Sequence, residues 1–347
     1  MGKSASDSTA LRLGSGVSPE DIRSAIAKSG YPLQTAVAAS LRTQFSVLEE
    51  WSYMDRATQE LRTIDIFAEK WLFQVKEVSS RGAVWPVLSL IVECKKAELP
   101  YVFFLSSTVP WVPYFPLLTG HLKNQLVVMT DDETSLYQLP TMHVLCLDHH
   151  SFLSSPRYCA SFTKCERKGK GIELGGKAFH ELVMPIANAL HFFRSAQSSG
   201  KRATHSDGLV MGVGVVDAPM LGVRAMENPN ELVPLSWVRL IRHATHELTD
   251  ADYRTRLFAI DIVHREFLKK YVYEHVLPFA NDFAKLAARH SEVLSSGRGF
   301  VSGMRRDNWN NLQGRLRPLG RRKWPKRTGN SLFRPVIPIG APNYDVA

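Results

Sequence analysis

The chain has 347 residues, of which 44% are hydrophobic and 22% are charged, an ordinary composition for a globular protein. It contains no run of about 18 apolar residues, and its first residues lack an apolar core, so we expect neither a membrane-spanning helix nor a secretory signal peptide. The four cysteines do not follow a disulfide-framework spacing, which predicts a reducing, cytoplasmic location.

The formal net charge is +10, and most of it lies near the C-terminus. One segment carries nine basic residues against Asp307 alone, a net of +8 that leaves a nearly neutral body. Trp309 and Trp324 lie among these cations, as in segments that hold phosphates and stack on bases, so we expect nucleic-acid contacts here. A solvated basic tail without a specific role is the alternative. The basic residues are Arg305, Arg306, Arg315, Arg317, Arg321, Arg322, Lys323, Lys326 and Arg327.

The composition along the chain predicts three regions. Residues 1–17 are rich in Ser and Gly and are expected to form a flexible leader. Residues 18–295 are expected to form a single domain with a loop-rich insertion at about 106–177, and residues 296–347 a flexible basic tail.

The first part of the domain predicts helices followed by strands. Ser18 and Pro19, followed by two acids, are typical of a helix start, and that helix should end near Lys28. Apolar residues spaced by four from Leu33 to Phe45 predict an amphipathic second helix. Three strands should follow in antiparallel order, with the sequences SVLEEWSYMD, LRTIDIFAEKW and VLSLIVECKK.

The second part mixes loops, strands and helices. The Pro- and aromatic-rich stretch STVPWVPYFPLLTGH predicts a packed loop or a lid, and 179–197 predicts an amphipathic helix. GLVMGVGVVDAP and SWVRLIRHATHE are typical of strands, and residues 258–294 predict a long helix interrupted at Pro278. The glycines at 212 and 214 lack the third glycine and the following helix of a dinucleotide site.

Charged residues inside the predicted strands are the main candidates for function. Side chains alternate along a strand, so Glu93 and Lys95 should share one side with Cys94 opposite. Burying such charges is costly unless they are paired or hold a metal. A structural ion pair therefore remains one interpretation of Glu93 and Lys95.

A metal site is the other interpretation. A hairpin could bring Asp65 of RTIDIFA beside Glu93, and two carboxylates at close range repel each other unless a cation neutralises them. Oxygen ligands suit Mg²⁺ or Mn²⁺, and Lys95 could orient a water or stabilise charge on a phosphate. A zinc site from His149, His150, Cys159 and Cys165 is not favoured, because their spacing matches no standard arrangement.

A helix GYPLQTAVAASL, a strand containing R-x-I-D-I, and IVECKK followed by PYVFF together resemble the PD-(D/E)XK nuclease superfamily over residues 30–104. The resemblance implies a restriction-endonuclease-like α/β core, a mixed central sheet flanked by helices. It implies that Asp65, Glu93 and Lys95 are catalytic, that Asp65 and Glu93 bind Mg²⁺ or Mn²⁺, and that the chain cleaves nucleic acid. DNA is favoured over RNA as the substrate, and RNA stays open as the alternative. Defence against foreign DNA, with a homodimer or a defence-system partner protein, also follows from the resemblance alone.

Many members of that superfamily carry an acid on the first helix, where this chain has Gln34. An amide oxygen can ligate a metal but brings no negative charge, and Glu60 could compensate if its turn folds inward. Two other interpretations stay open: a catalytically inactive nuclease fold that binds nucleic acid or serves in assembly, and an interaction protein whose tail binds an acidic partner.

Overall fold

The computed structural model describes residues 14, 16–55, 58–72, 86–133, 135–198, 207–224, 228–243, 257–303, 311–320 and 333–335. Within these residues the chain forms a large mixed sheet of 12 strands and a second sheet of five strands, flanked by helices. The predicted mixed α/β architecture is confirmed at this level. No helix among the described residues is both long enough and apolar enough to span a membrane.

The α-helices within the described residues are α1 Pro19–Lys28, α2 Tyr31–Leu41, α3 Thr141–Val144, α4 Ser151–Ser154, α5 Met184–Ser198, α6 Leu268–Lys270, α7 Leu277–Arg289, α8 Ser291–Ser296 and α9 Leu312–Arg315. Wider π-helical turns at Phe179–Val183 and Tyr271–Val276 lead into α5 and α7.

The strands within the described residues are β1 Ser46–Met54, β2 Leu61–Trp71, β3 Val87–Lys96, β4 Tyr101–Leu105, β5 Leu117–Thr119, β6 Gln125–Thr130, β7 Leu136–Pro140, β8 Arg157–Lys168, β9 Gly171–Gly175, β10 Gly208–Asp217, β11 Met220–Arg224, β12 Asn228–Pro234, β13 Trp237–His243, β14 Leu257–His264, β15 Arg298–Val301, β16 Leu316–Arg317 and β17 Phe333–Pro335. The large sheet follows the order β1-β2-β3-β10-β14-β13-β8-β4-β11-β12, with β5 on β10 and β9 on β8.

The beginning of the domain folds as predicted. Ser18 accepts a hydrogen bond from Asp21 N–H and Pro19 opens α1, which ends at Lys28. Strands β1, β2 and β3 pair antiparallel in chain order. The turn predicted between β2 and β3 lies outside the described residues.

Helices cover both faces of the first four strands of the large sheet. The apolar residues of α2 pack in one core cluster with alternate residues of β2 and β3, and those of α5 pack in a second cluster with the intervening residues. Helix α5 and the π-helical turn before it approach β10 closely: a Cβ at Gly212 would lie 2.3 Å from Ile186 of α5, and one at Gly214 would lie 2.9 Å from Leu182 of the turn. The glycine pair therefore serves helix–sheet packing.

The prediction of one helix over 258–294 is wrong at its start. Leu257–His264 is strand β14, parallel to β10 and antiparallel to β13. A strand that is buried on both faces is apolar throughout, so its sequence resembles that of a buried helix. The interruption predicted at Pro278 is also wrong. Pro278 lies in the first turn of α7, directly after the π-helical turn, and the chain remains helical there.

The segment 106–177 is richer in strands than predicted. It contains β5 to β9, and β8 joins the large sheet between β13 and β4. These strands are short or extend beyond the core, so their hydrophobic patterns are weak. The Pro-rich start of the segment therefore led to the prediction of loops. Loop structure does extend from Ser106 to Pro116, with a cis peptide before Pro116.

Part of the predicted tail, residues 296–347, is folded. Strands β15, β16 and β17 join β6 and β7 in the five-stranded sheet. Val301, Leu312 and Leu316 are at most 1% exposed. These few buried apolar residues pack this segment against the rest of the protein. The high net charge of the segment gave no indication of this packing.

Candidate active site

The structure brings Asp65 and Glu93 together at the end of the β2–β3 ladder. The last registered pair is Ile66 with Val92, so Asp65 and Glu93 lie opposite each other at the next level. Cys94 N–H donates to Asp65 Oδ2 over 2.7 Å. This hydrogen bond and the strand pairing hold Asp65 and Glu93 side by side.

Lys95 completes this group of three. Its Nζ lies 2.6 Å from Glu93 Oε1, so the two charges share one side of β3, as strand alternation predicted. Cys94 is buried in the same core cluster as Leu33 and Val37 of α2. The ion pair that was one interpretation of this motif does form, but it includes only one of the two carboxylates.

The positive charge in this group does not match the negative charge. Glu93 is 5% exposed, and burial, followed by the charge of Asp65, raises its pKa to about 7 despite Lys95. Burial likewise raises the pKa of Asp65, against the Cys94 hydrogen bond and Lys95. Burial alone would lower the pKa of Lys95, but the Glu93 carboxylate raises it on balance. The group therefore carries more negative than positive charge, and this imbalance favours protonation of Glu93.

A third acid, Glu50, lies at the same level and was missed in the sequence. Glu49 pairs with Ile66 and Trp51 with Ile64, so Glu50 lies opposite Asp65 across β1 and β2. We call Glu50, Asp65 and Glu93 the acid row, since they occupy one level of three neighbouring strands. The charge of Glu50 contributes to the raised pKa of Asp65.

Gln34 of α2 links two members of the acid row. It is 5% exposed, and its Nε2 donates to Glu50 Oε1 over 2.7 Å and to the main-chain oxygen of Asp65 over 3.1 Å. Gln34 thus presents an amide donor to the site and fixes the Glu50 carboxylate. The resemblance implied an acid on the helix. In the structure the acid beside Gln34 is Glu50, which comes from β1.

Glu60 does not compensate for Gln34. It lies in the turn before β2, and its carboxylate contacts Arg62 over 3.2 Å. Five residues along a strand separate it from Asp65, a span of about 17 Å. The idea that this turn folds inward is therefore wrong.

The acid row has the chemistry of a site for one hard cation. Among the described residues no group of three or more His, Cys, Asp or Glu side chains is arranged to hold a metal. Mg²⁺ does not require such a group, because it is commonly bound by one or two carboxylates and keeps several waters. Asp65 and Glu93 supply two carboxylates, and the raised pKa of Glu93 indicates that a cation there would be stabilised.

The histidines and cysteines considered for zinc have other contacts. His150 Nδ1 accepts from Phe152 N–H over 3.0 Å and caps α4. Cys159 is 2% exposed and belongs to the core cluster on the α5 side. These contacts account for both residues without a metal ligand role.

The predicted basic contacts fall partly within the described chain. Arg315 lies in α9, and Arg317 lies in β16, where its Nη1 donates to the main-chain oxygens of Gly314 and Leu316 over 3.0 and 2.8 Å. Arg317 thus belongs to the five-stranded sheet, and Arg315 ends the helix that leads into it. The other predicted contacts, Arg305, Arg306, Arg321, Arg322, Lys323, Lys326 and Arg327, lie outside the described residues.

Comparisons with known proteins leave the functional assignment to the site itself. No family model, curated protein or solved structure matches this chain. The geometry and charge of the acid row and Lys95 are therefore the basis for a functional proposal.

Proposed function

We propose that this chain is a Mg²⁺- or Mn²⁺-dependent nuclease of the PD-(D/E)XK type that hydrolyses phosphodiester bonds in DNA. One observation carries the proposal: acids occupy the same level of three adjacent strands, with Lys95 bonded to the most buried of them. Like charges opposite each other destabilise a sheet, so a purely structural role would not favour this arrangement. A role in binding a cation and a phosphate does favour it.

The surrounding fold supports the same proposal. The restriction-endonuclease-like core implied by the resemblance is a mixed sheet flanked by helices. Here β1, β2 and β3 are antiparallel, β10 lies parallel to β3, and α2 and α5 cover opposite faces. The acid row lies where the β2–β3 pairing ends, and a bulky polymer could approach its exposed member, Glu50.

Each residue has a distinct part in the proposed reaction. Asp65 and Glu93 would hold the ion, which when bound polarises a phosphate oxygen and lowers the pKa of a water. The Cys94 N–H fixes the Asp65 carboxylate. Lys95, whose side chain is 29% exposed, can donate to a phosphate oxygen or to the attacking water while it contacts Glu93.

Gln34 supports a second candidate, a nuclease fold that binds DNA without cutting it. This residue brings no charge to the position where the resemblance implies an acid. Glu50 argues against loss of activity, because Gln34 holds its carboxylate beside Asp65. The two candidates differ in whether bound metal leads to cleavage.

Incubation with supercoiled plasmid, single-stranded DNA and RNA, each with Mg²⁺, Mn²⁺ or EDTA, tests the proposal. We expect nicked or linear plasmid with either metal and none with EDTA. The matched control is Asp65→Asn, which keeps the size of the side chain and removes its charge. Equal cutting by Asp65→Asn and the wild type would reveal a contaminating nuclease and refute the assignment. Metal binding without cleavage of any substrate would favour the inactive candidate.

A further inference from the structure

Strands β8 and β9 form a hairpin that extends beyond the sheet. Five registered pairs run from Lys164 opposite Gly175 to Lys168 opposite Gly171. Gly169 turns the chain with a φ of +63°, a value that other residues rarely adopt, and Lys170 lies at the tip. Every residue from 166 to 174 is exposed. The hairpin is therefore a two-stranded ribbon in solvent.

The ribbon carries an excess of positive charge. Between Lys164 and Lys177 there are five basic residues and two acidic ones. Lys164 and Lys168 are each paired with a glutamate, at 3.0 and 2.9 Å. Within the described chain, no acid lies at ion-pair distance from Arg167 or Lys170. Arg167 and Lys170, which lie close to the turn, are free to bind an external anion.

One face of the ribbon is apolar as well as basic. Arg167 is registered opposite Ile172, and Cys165 opposite Leu174, so these four side chains share a face. Ile172 is 59% exposed and Leu174 60% exposed. An isolated two-stranded ribbon is marginally stable in water, and exposed apolar side chains add to its cost. Such a face is suited to contact with a partner.

The short stretch of chain after β3 is hydrogen-bonded to the start of the ribbon. Cys165 N–H donates to Pro100 O over 2.8 Å. Pro100 follows Lys96, the last residue of β3, by four positions, so the two lie within about 15 Å of each other. From Cys165 to the tip at Lys170 the strand extends roughly 16 Å further. A polymer bound at the acid row could therefore reach the ribbon.

We propose that this ribbon enters the major groove of duplex DNA beside the site of cleavage. The part of this proposal that places the ribbon beside a cleavage site rests on the proposed nuclease function. The major groove of B-form DNA admits a two-stranded β-ribbon, whereas that of A-form RNA is too deep and narrow for side chains to read. Arg167 and Lys170 contact phosphates, and Ile172 and Leu174 contact apolar base edges such as thymine methyl groups.

Binding measured in EDTA tests this proposal without cleavage. Fluorescence anisotropy would compare a 20-base-pair DNA duplex, the single strand and an RNA duplex, using the full chain. We expect Arg167→Ala/Lys170→Ala to weaken duplex DNA binding by roughly tenfold or more at 0.1 M salt. The slope of log affinity against log salt should decrease by about two. The matched control, Lys270→Ala/Lys285→Ala, removes two exposed cations from the C-terminal helices and should change affinity much less.

A second variant separates groove contact from charge alone. Ile172→Ser/Leu174→Ser should weaken duplex DNA binding without changing the salt slope, because no counterion release is lost. Circular dichroism and a thermal melt would verify that both variants fold. Unchanged duplex affinity in the first variant, an equal loss on single strands, or absence of duplex binding by the wild type would each overturn the proposal. So would an effect of the serine variant on self-association with no effect on DNA.

The ribbon and the nuclease function can fail separately. Ribbon-dependent duplex binding without cleavage in Mg²⁺ would refute the nuclease function and keep the ribbon. Cleavage with ribbon-independent binding would do the reverse.

Discussion

The large sheet contains two clusters of buried charge that differ in their balance. In one, Arg239 of β13 lies opposite Asp261 of β14, and both are 0% exposed. Two bonds join them, Nε–Oδ1 at 2.7 Å and Nη2–Oδ2 at 2.9 Å, and Tyr271 Oη donates to Asp261 Oδ2 over 2.8 Å. In the other cluster, Lys95 faces Glu93, with Asp65 beside them.

The surroundings of the two clusters differ in the same sense. The Arg239 guanidinium lies 4.4 and 4.5 Å from the ring centroids of Phe115 and Phe152, and it also donates to Phe152 O. One positive and one negative charge are enclosed there with no solvent access. The Lys95 side chain is 29% exposed, and its cluster holds more acid than base. The closed cluster is balanced in charge and shielded from solvent, whereas the open cluster carries excess negative charge and is partly exposed.

The sharpest test of this comparison removes one partner from the closed cluster. Asp261→Ala leaves the buried Arg239 charge without its carboxylate, so we expect the free energy of unfolding to fall by about 3–5 kcal/mol. Urea denaturation monitored by circular dichroism measures the change. Asp282→Ala removes a half-buried acid that is paired with Lys285 and lies 3.7 Å from His150, and it should change the free energy of unfolding by less than about 1 kcal/mol. A loss of under about 1 kcal/mol for Asp261→Ala would contradict the structural role of the closed cluster.

The corresponding change in the open cluster should affect activity more than stability. Lys95→Ala should lower the rate of plasmid cleavage by roughly 10²-fold or more, since the lost ammonium would contact the phosphate or the water. The matched control is Lys96→Ala, the exposed neighbour whose Nζ contacts Ala27 O on α1. If both variants cut at the wild-type rate, Lys95 is not catalytic.

Glu93 should make stability depend on pH in an unusual direction. Its ordinary pKa is 4.5, and in the folded chain the value is about 7, so the folded state binds more protons between these limits. The free energy of unfolding should therefore fall as pH rises through this window, by about 2–3 kcal/mol from this group.

The difference between wild-type and Glu93→Gln unfolding curves isolates that contribution. The amide cannot ionise, so the slope assigned to Glu93 should vanish in the variant. At pH 8, millimolar Mg²⁺ should raise the thermal midpoint of the wild type and have little effect on Glu93→Gln. A wild-type midpoint that is insensitive to Mg²⁺ and Mn²⁺ would contradict the metal site.

The smallest effect is expected at the exposed end of the acid row. Glu50→Gln removes a charge near Asp65 but keeps the shape of the side chain, so metal affinity should fall by roughly two- to fivefold. Isothermal titration with Mn²⁺ measures this change. Glu49→Gln is the matched control, because Glu49 pairs with Arg42 and not with the row. Equal effects of the two substitutions would mean that Glu50 acts only through the net charge.

Local patterns predicted the site, and longer-range contacts limited the prediction. Strand alternation placed Glu93 and Lys95 together because it depends only on residues two positions apart in the sequence. Glu50 could not be found in this way, since its place opposite Asp65 depends on the register of β1 with β2. The strand β14 was missed for a similar reason. Its buried acid, Asp261, is paired with Arg239, which lies 22 residues earlier in the chain, and a local pattern does not show this pairing.

The spacing of the paired strands has a consequence for synthesis on the ribosome. Gln34, the acid row and Lys95 lie within 34–95, and β1, β2 and β3 are consecutive, so this unit can pair early. The closed cluster combines residues from Phe115 to Tyr271, which are far apart in the sequence. In the second sheet, β6 pairs with β15 through residues such as Val127 and Arg298, so this pairing forms only after β15 has been synthesised. The acids of the open cluster therefore emerge well before the elements that enclose the rest of the protein. We expect an arrested nascent chain ending near residue 220 to hold the acid row while the second sheet is still unformed.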